Sequence, residues 1–341
     1  MIAFLCVSGN ALHLSRMIFE RLIAGFVALA GAIFAIILDP GNFIAIGVMD
    51  ASLTSDNEMV RRVAEAEIAA ARVSLAAGAA VLAAGALFWP RLARSHVFRR
   101  LSAGSLDISA EYAAFLRRLI TPGALILFGA VLLMLAYIRV GAALFSHSVL
   151  WLINGEDGVL ETASAVMVLL AAGLSASIAY RVGRGHRRFA CHVVLAVLFF
   201  FMFGEEISWG QRLFGFATPE IVATVNVQNE VNLHNMFGYL FDHLFILGFL
   251  SWAIAVPLLY HALVPFRKLF VYVGLPVPSA GLAVAMACVG LMLDPIVFRF
   301  LDPLPTLRLA EAREALSTLA FLLLVREVSQ HFPAGKPAPA G

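Results

Sequence analysis

Apolar residues run along this chain in long blocks, with short charged clusters between them. Eight blocks come near or exceed the roughly 20 residues that a membrane-spanning helix needs. They cover 20–39, 67–89, 119–139, 158–180, 188–207, 240–264, 269–293 and 306–325. The fifth is tight, because its clean stretch at 189–204 is only 16 residues. To cross a bilayer it takes in Glu205 and Glu206 or stops just short of them. The eighth is clean at 315–325, with Glu311 and Glu314 ahead of it. The pattern predicts an all-α fold: a polytopic integral membrane helical bundle of about eight transmembrane helices, with both termini cytoplasmic.

Local signals punctuate these blocks. Ser55 followed by Glu58 reads as a capping box that starts a helix running to Phe88, before Pro90. About 34 residues at 1.5 Å each give roughly 50 Å, more than a ~30 Å hydrocarbon core. The first turns, with Arg61, Arg62, Glu65 and Glu67, are therefore expected outside the membrane. Thr218-Pro219-Glu220 places a cap and a first-turn proline ahead of a short helix. Pro257, Pro276 and Pro278 predict kinks in the sixth and seventh spans. Alanine and glycine runs at 76–80 and 83–85 suit close helix packing. The chain shows no internal repeat, so sequence symmetry does not favour an inverted-repeat transporter.

Composition agrees with the pattern. Of 341 residues, 61% are apolar and 13% charged, and the mean hydropathy is +0.90. Soluble domains carry about 25% charged residues. A soluble enzyme, a disordered chain and a nucleic-acid module are excluded, and no nucleic-acid motif is present. Cys6, Cys191 and Cys288 stand far apart, which excludes a disulfide framework and a thiolate metal knot. The N-terminus lacks a clear cleavage site, so the first span reads as retained. Residues 1–16 read as an N-terminal extension with Met17 as a natural start, 17–330 as one helical membrane domain, and 331–341 as a disordered tail.

The net charge of +2 hides a strong asymmetry. Segments 16–21, 90–118, 181–188, 265–268 and 326–341 hold 16 of the 24 Lys and Arg residues against four acids. Their balance is +12, and the rest of the chain carries −10. Positive charge marks the cytoplasmic side. Both termini then lie there, and an even number of spans requires the same. This orients the spans in the membrane. The cluster 184–188 reads as a topology signal, with anionic-lipid contact secondary. His192 and His261 fall near cytoplasmic ends and read as structural.

The ionisable groups gather at the outer helix ends, where carriers of charge are seldom idle. Glu156, Asp157 and Glu161 open the fourth span. Glu205, Glu206 and Arg212 close the fifth, and Glu230 and His234 follow in the loop. Asp242 and His243 open the sixth, and Glu311, Arg313 and Glu314 open the eighth. On a continuous helix Glu205, Ser208 and Arg212 share one face. Glu206 then lies about 100° around, beside Trp209 and Gly210. One acid is thereby free to stay ionised while the other acts as an acid. Asn235, Tyr239 and Asp242 fall on one helical face, with His243 beside it.

The block GEEISWGQRLFGFATPE at 204–220, followed by NVQNEVNLHN at 226–235, resembles a family of bacterial multi-pass membrane proteins. Members share a similar GEEISWGQR block and a nearby NLHN. Glu156-Asp157-Gly158 with Glu161 resembles a second shared block. The resemblance covers the middle third and implies a site location, with no established activity.

Three function classes follow. The first is an enzyme acting on a lipid or lipid-linked substrate at the outer leaflet. Its catalytic candidates are Glu205 or Glu206 as general acid or base, His234 or His243 as partner, Arg212 as anion contact, and Asp242. Asp157, Glu161, Trp209, Gln211 and Asn235 are the substrate-binding candidates. The second is a proton- or ion-coupled transporter, disfavoured because no charge trail continues down the spans. The third is a non-catalytic assembly subunit docking through 208–236. His234, His243, Glu205, Glu206 and Asp242 are suitable ligands for zinc, iron or manganese. No HExxH or paired ExxH spacing supports a metal, although Glu230 and His234 stand four apart. No cofactor is named by any motif. Ser208 lacks a nucleophile elbow, and Cys191 and Cys288 lack triad partners.

Overall fold

A computed structural model describes residues 25, 28–33, 35–45, 53–56, 58–96, 98–99, 109–155, 157–219, 231, 239–293 and 310–331. At some helical positions within these, among them Glu67, Arg212, Asp242 and His243, only the backbone is described. Among the described residues every regular element is helical. The chain forms two compact units, 1–100 and 101–341.

The first unit contains α1 (Pro40–Ala45) and the long α2 (Glu58–Arg94). Small side chains let a helical stretch at Ala28–Ile37 approach α2, where a Cβ on Gly31 would sit 3.3 Å from that of Ala79. Arg72 ties the two together, donating to the Ala35 carbonyl at 3.2 Å and lying 3.8 Å from the Asp39 carboxylate. Helix α2 starts at Glu58 and does not stop before Pro90. Only four residues follow the proline, so its missing N–H removes one bond in a last turn that is weakly held anyway. At 37 residues, α2 is about 56 Å long.

The second unit holds α3 (Ala110–Phe115), α4 (Pro122–Leu144), α5 (His147–Asn154), α6 (Val159–Val182) and α7 (Arg187–Glu206). A 3-10 turn at Ser208–Gly210 and α8 (Gln211–Phe214) follow. Then come α9 (Tyr239–Leu250), a π turn at Ser251–Ala255, α10 (Val256–Ala262) and α11 (Val264–Val273). The described chain ends with α12 (Ala280–Leu293) and α13 (Ala310–His331).

Among the described residues, five helical stretches are long and apolar enough to cross a membrane: Ala64–Gly85, Pro122–Leu144, His147–Val182, Arg188–Glu206 and Phe245–Ala262. Each overlaps a block read from the sequence. The third of these is not one rod, because α5 and α6 meet at a turn over 155–158. In the sixth block the regular α-helix is interrupted ahead of Pro257. Proline cannot donate to the carbonyl one turn back, and the helix widens into the π turn immediately before it. The seventh block is a correction. It is not a kinked helix but two helices, α11 and α12, separated by unwound chain at 274–279. Pro276 and Pro278 together remove two donors within one turn. The Trp252 indole N–H caps the freed Pro276 carbonyl at 2.8 Å. Of the first block only part is described, chiefly as Ala28–Ile37. The eighth appears as the 22-residue α13, long enough to cross but carrying Glu311, Arg313, Glu314, Arg326 and Glu327.

Helix α13 is central. Phe321 meets Phe199 at 5.4 Å, Phe249 at 5.2 Å and Trp252 at 6.2 Å between ring centres. Val168, Leu282, Met286 and Leu324 are fully buried around it. Helices α6 and α7 form an antiparallel pair through the turn at 183–186, where Gly183 takes φ +82°.

Polar contacts fix the two ends of this bundle. At one end Asn154 donates to the Tyr137 hydroxyl at 2.7 Å, and Ser164 to the Thr318 hydroxyl at 3.3 Å. At the other, the buried Glu327 carboxylate lies between the first turns of α4 and α12. Its Oε1 accepts from the hydroxyls of Thr121 (2.7 Å) and Ser279 (2.9 Å), and its Oε2 from the Ser279 backbone N–H (3.1 Å). Those hydroxyls also cap their own helices, accepting from Ala124 N–H at 3.2 Å and Leu282 N–H at 3.3 Å. One buried anion thus sits on two helix N-termini, where the backbone dipoles favour negative charge.

Candidate functional site

Helix α7 carries the densest polar block at its end, and it ends abruptly. After Glu206 the chain passes through Ile207 into three left-handed residues: Ser208 (φ +46°), Trp209 (φ +52°) and Gly210 (φ +80°). Glycine takes this conformation freely, but serine and tryptophan do so at a cost of about 1–3 kcal/mol each. Strain of this kind persists only where the surroundings over-determine it.

Trp209 supplies that determination. Its indole N–H donates to Glu205 Oε1 at 2.7 Å, back across the helix end. The ring lies on Gly204, where a Cβ would fall 2.9 Å from three ring atoms. Its edge meets Phe201 at 5.1 Å. Glycine at 204 is thus a seat for the indole. Ser208 is fully buried, and Glu205 and Glu206 are half-buried.

The turn corrects one expectation. Glu205, Ser208 and Arg212 do not share a helical face, because three left-handed residues break the periodicity between Glu206 and Gln211. The Arg212 side chain lies outside the described atoms. Gln211 acts as a brace, since its amide N–H donates to the Thr218 hydroxyl at 2.8 Å and its carbonyl accepts from Val231 N–H at 2.7 Å. The short helix expected after Thr218-Pro219-Glu220 lies outside the described residues.

The second acidic block has a defined local role. Asp157 takes φ +59° in the turn between α5 and α6. Its backbone N–H donates to Glu161 Oε2. Glu161 is buried in the first turn of α6, so its carboxylate closes that N-terminus much as a capping box does. Gly158 is required here, because a Cβ would fall 2.5 Å from the Gly155 carbonyl oxygen.

Antiparallel pairing puts the start of α6 and the end of α7 at one end of the bundle. The Ser164–Thr318 contact puts the start of α13 there too, and Arg313 donates from it to the Leu293 carbonyl at 3.1 Å. Asp157, Glu161, Glu205, Glu206, Glu311 and Glu314 therefore share an end. Asp242 and His243 fall in the helical backbone of α9, with their side chains outside the described atoms. Glu156, Glu230, His234 and Asn235 lie outside the described residues altogether. Among the described residues no three His, Cys, Asp or Glu side chains converge as metal ligands would.

The opposite end is basic and tied by arginine. Arg188 donates to the Val271 carbonyl at 3.1 Å, and its side chain fills the space over Gly274 (φ +76°). Beside it, Tyr112 of α3 packs on His331 at 5.1 Å. Burial, reinforced by Tyr260 and Glu327, pushes the Tyr112 hydroxyl well above its ordinary range, so it stays neutral.

No family model, no curated protein and no solved structure matches this chain significantly.

Sequence reasoning missed two features: the left-handed turn and the Glu327 cluster. The first had a signal in Gly204, Gly210 and Gly215. The second had only the cap patterns Thr121-Pro122-Gly123 and Ser279-Ala280-Gly281.

Proposed function

We propose that this chain is an eight-span protein of a bacterial inner membrane, with both termini cytoplasmic and an acidic site on the periplasmic face. The site acts on a lipid or lipid-linked substrate by general acid–base chemistry. Glu205 and Glu206 are the acid and base, with His234 or His243 as proton partner and Arg212 contacting an anionic group. The resemblance of the 204–212 block to other bacterial membrane proteins is read as support for the location of the site, not for its chemistry.

One observation carries the reading. The turn at 208–210 holds two left-handed non-glycine residues in place through the Trp209–Glu205 bond. Backbone strain of this type concentrates at functional sites. It also gives the two acids unequal surroundings. The indole N–H bonds Glu205 and not Glu206, and unequal surroundings are what separate an acid from a base.

The test is complementation of a deletion strain, read as whole-cell lipid composition. Glutamine at 205 still accepts the indole N–H, so E205Q keeps the turn while removing the charge. The wild-type gene is expected to restore the lipid profile. E205Q and E206Q are expected to lose about 100-fold or more of the activity and to leave the deletion profile in place. Full restoration by both variants would overturn the catalytic assignment.

A further inference from the structure

A second charged site lies at the basic end of the second unit, where α3, α10 and α11 meet. Phe115, Leu116, Tyr260, Phe270 and Val277 form a small buried cluster beneath it. The segment after α3 is fixed in place. The Leu116 carbonyl accepts from Ala280 N–H and the Arg118 carbonyl from Gly281 N–H, both at 3.0 Å.

Two arginines converge on this corner. Arg267 lies over the Tyr260 ring at 5.5 Å from its centre. Its Nε donates to the Tyr260 carbonyl and its Nη2 to the His261 carbonyl, each at 2.9 Å. Two of its five N–H donors are thus used to hold the plane, and the rest remain available. Arg117 follows Phe115 and Leu116, which pack in the same buried cluster as Tyr260, and its charge acts on Tyr260 and His261. Among the described residues neither guanidinium meets a carboxylate. Tyr260 is 3% exposed, and among the described residues its buried hydroxyl finds no partner. Two guanidiniums that lack a carboxylate partner among the described residues form an arrangement that an anion completes.

The surroundings select the kind of anion. Leu119 and Ile120 follow Arg117 and Arg118 directly and are 68% and 75% exposed. On the other side Leu258 and Val264 are exposed as well. A soluble anion has no use for such a rim, whereas a lipid carries acyl chains beside its charge. The corner also lies at the end that the charge asymmetry places against the cytoplasmic leaflet, where anionic headgroups gather.

We infer that the corner of Arg117, Tyr260 and Arg267 is a binding site for the phosphate of an anionic phospholipid of the cytoplasmic leaflet. The guanidiniums grip the phosphate oxygens and the exposed apolar side chains line its acyl chains. The inference rests on the membrane reading and is independent of the chemistry at Glu205 and Glu206.

Native mass spectrometry of the purified full-length protein, titrated with phosphatidylglycerol or phosphatidylcholine, tests it. The wild type is expected to retain phosphatidylglycerol in preference to phosphatidylcholine. R117Q and R267Q are each expected to weaken that retention about tenfold, the loss of one charge-assisted hydrogen bond. R326Q removes an exposed arginine from the same end and is expected to change nothing. Arg117 makes no side-chain hydrogen bond within the described protein, so R117Q should unfold with the wild type. It carries the test even if R267Q fails to fold. Unchanged retention in R117Q, or an equal loss in R326Q, overturns the site. Displacement of the lipid by inorganic phosphate at comparable concentration overturns the lipid as its ligand.

Discussion

Replacing Glu327 by alanine is expected to destabilise the protein by about 3–5 kcal/mol, among the largest effects of any single side chain. The carboxylate is 4% exposed. It is held by two hydroxyls, one backbone N–H and the first turns of α4 and α12. Truncation leaves the Ser279 N–H without its acceptor and leaves the Thr121 and Ser279 hydroxyls only each other, at 3.2 Å, to share one donor in a dry site. It also opens a cavity between three helices. Glutamine keeps one acceptor but sets an NH₂ group against a donor, so E327Q should lose about 1–3 kcal/mol. E111A, at an exposed acid of the same end, should stay within about 0.5 kcal/mol of the wild type. Denaturant unfolding of the purified protein measures all three. Equal stability of E327A and E111A would remove Glu327 as the clamp between α13 and the two helix starts.

Gly281→Ala is expected to be comparably severe, at about 3 kcal/mol or more, or to prevent accumulation of folded protein. A Cβ there would lie 1.9 Å from the Leu119 carbonyl oxygen and 2.6 Å from its carbonyl carbon. Both are backbone atoms, and neither can rotate away. The segment at 116–120 would have to lift off the first turn of α12. That movement breaks the Gly281 N–H bond to Arg118 and draws Ser279 from Glu327. Gly173, mid-helix in α6, is the control, because nothing lies within 4 Å of its added Cβ. G173A should be neutral or stabilising by up to about 1 kcal/mol through helix propensity. Thermal unfolding of the two variants side by side decides it, and equal stability would refute the close crossing.

Much of the helical layout was legible because an apolar run near 20 residues has few ways to satisfy its backbone in lipid. The blocks at 119–139 and 188–207 became Pro122–Leu144 and Arg187–Glu206 within a few residues. The block at 269–293 misled because apolar composition is the same for a helix and for buried extended chain. Pro276 and Pro278 were the better guide there. Pro90 misled in the other direction, because a proline one turn from a helix end removes little.

The site was legible as a place more than as a geometry. The acids at 157, 161, 205 and 206 were visible as charges that do not belong against lipid. Their helical phase was not, since Ser208 and Trp209 have no intrinsic preference for a left-handed turn. The indole bond to Glu205 and the bare surface of Gly204 help to hold it. Glu327 stood out least, as one acid among basic neighbours. Its partners Thr121 and Ser279 are 206 and 48 positions away, beyond any local pattern.

The proposed opposition of an acidic periplasmic end to a basic cytoplasmic end is tested most directly by cysteine labelling. In a background lacking Cys6, Cys191 and Cys288, single cysteines replace Phe214 and Gly185. Phe214 is 80% exposed beyond the left-handed turn, and Gly185 is exposed in the turn joining α6 to α7. A membrane-impermeant maleimide is expected to label F214C in intact spheroplasts and G185C only after lysis. Labelling of G185C in intact spheroplasts, with F214C protected until lysis, would contradict the orientation and the periplasmic site with it.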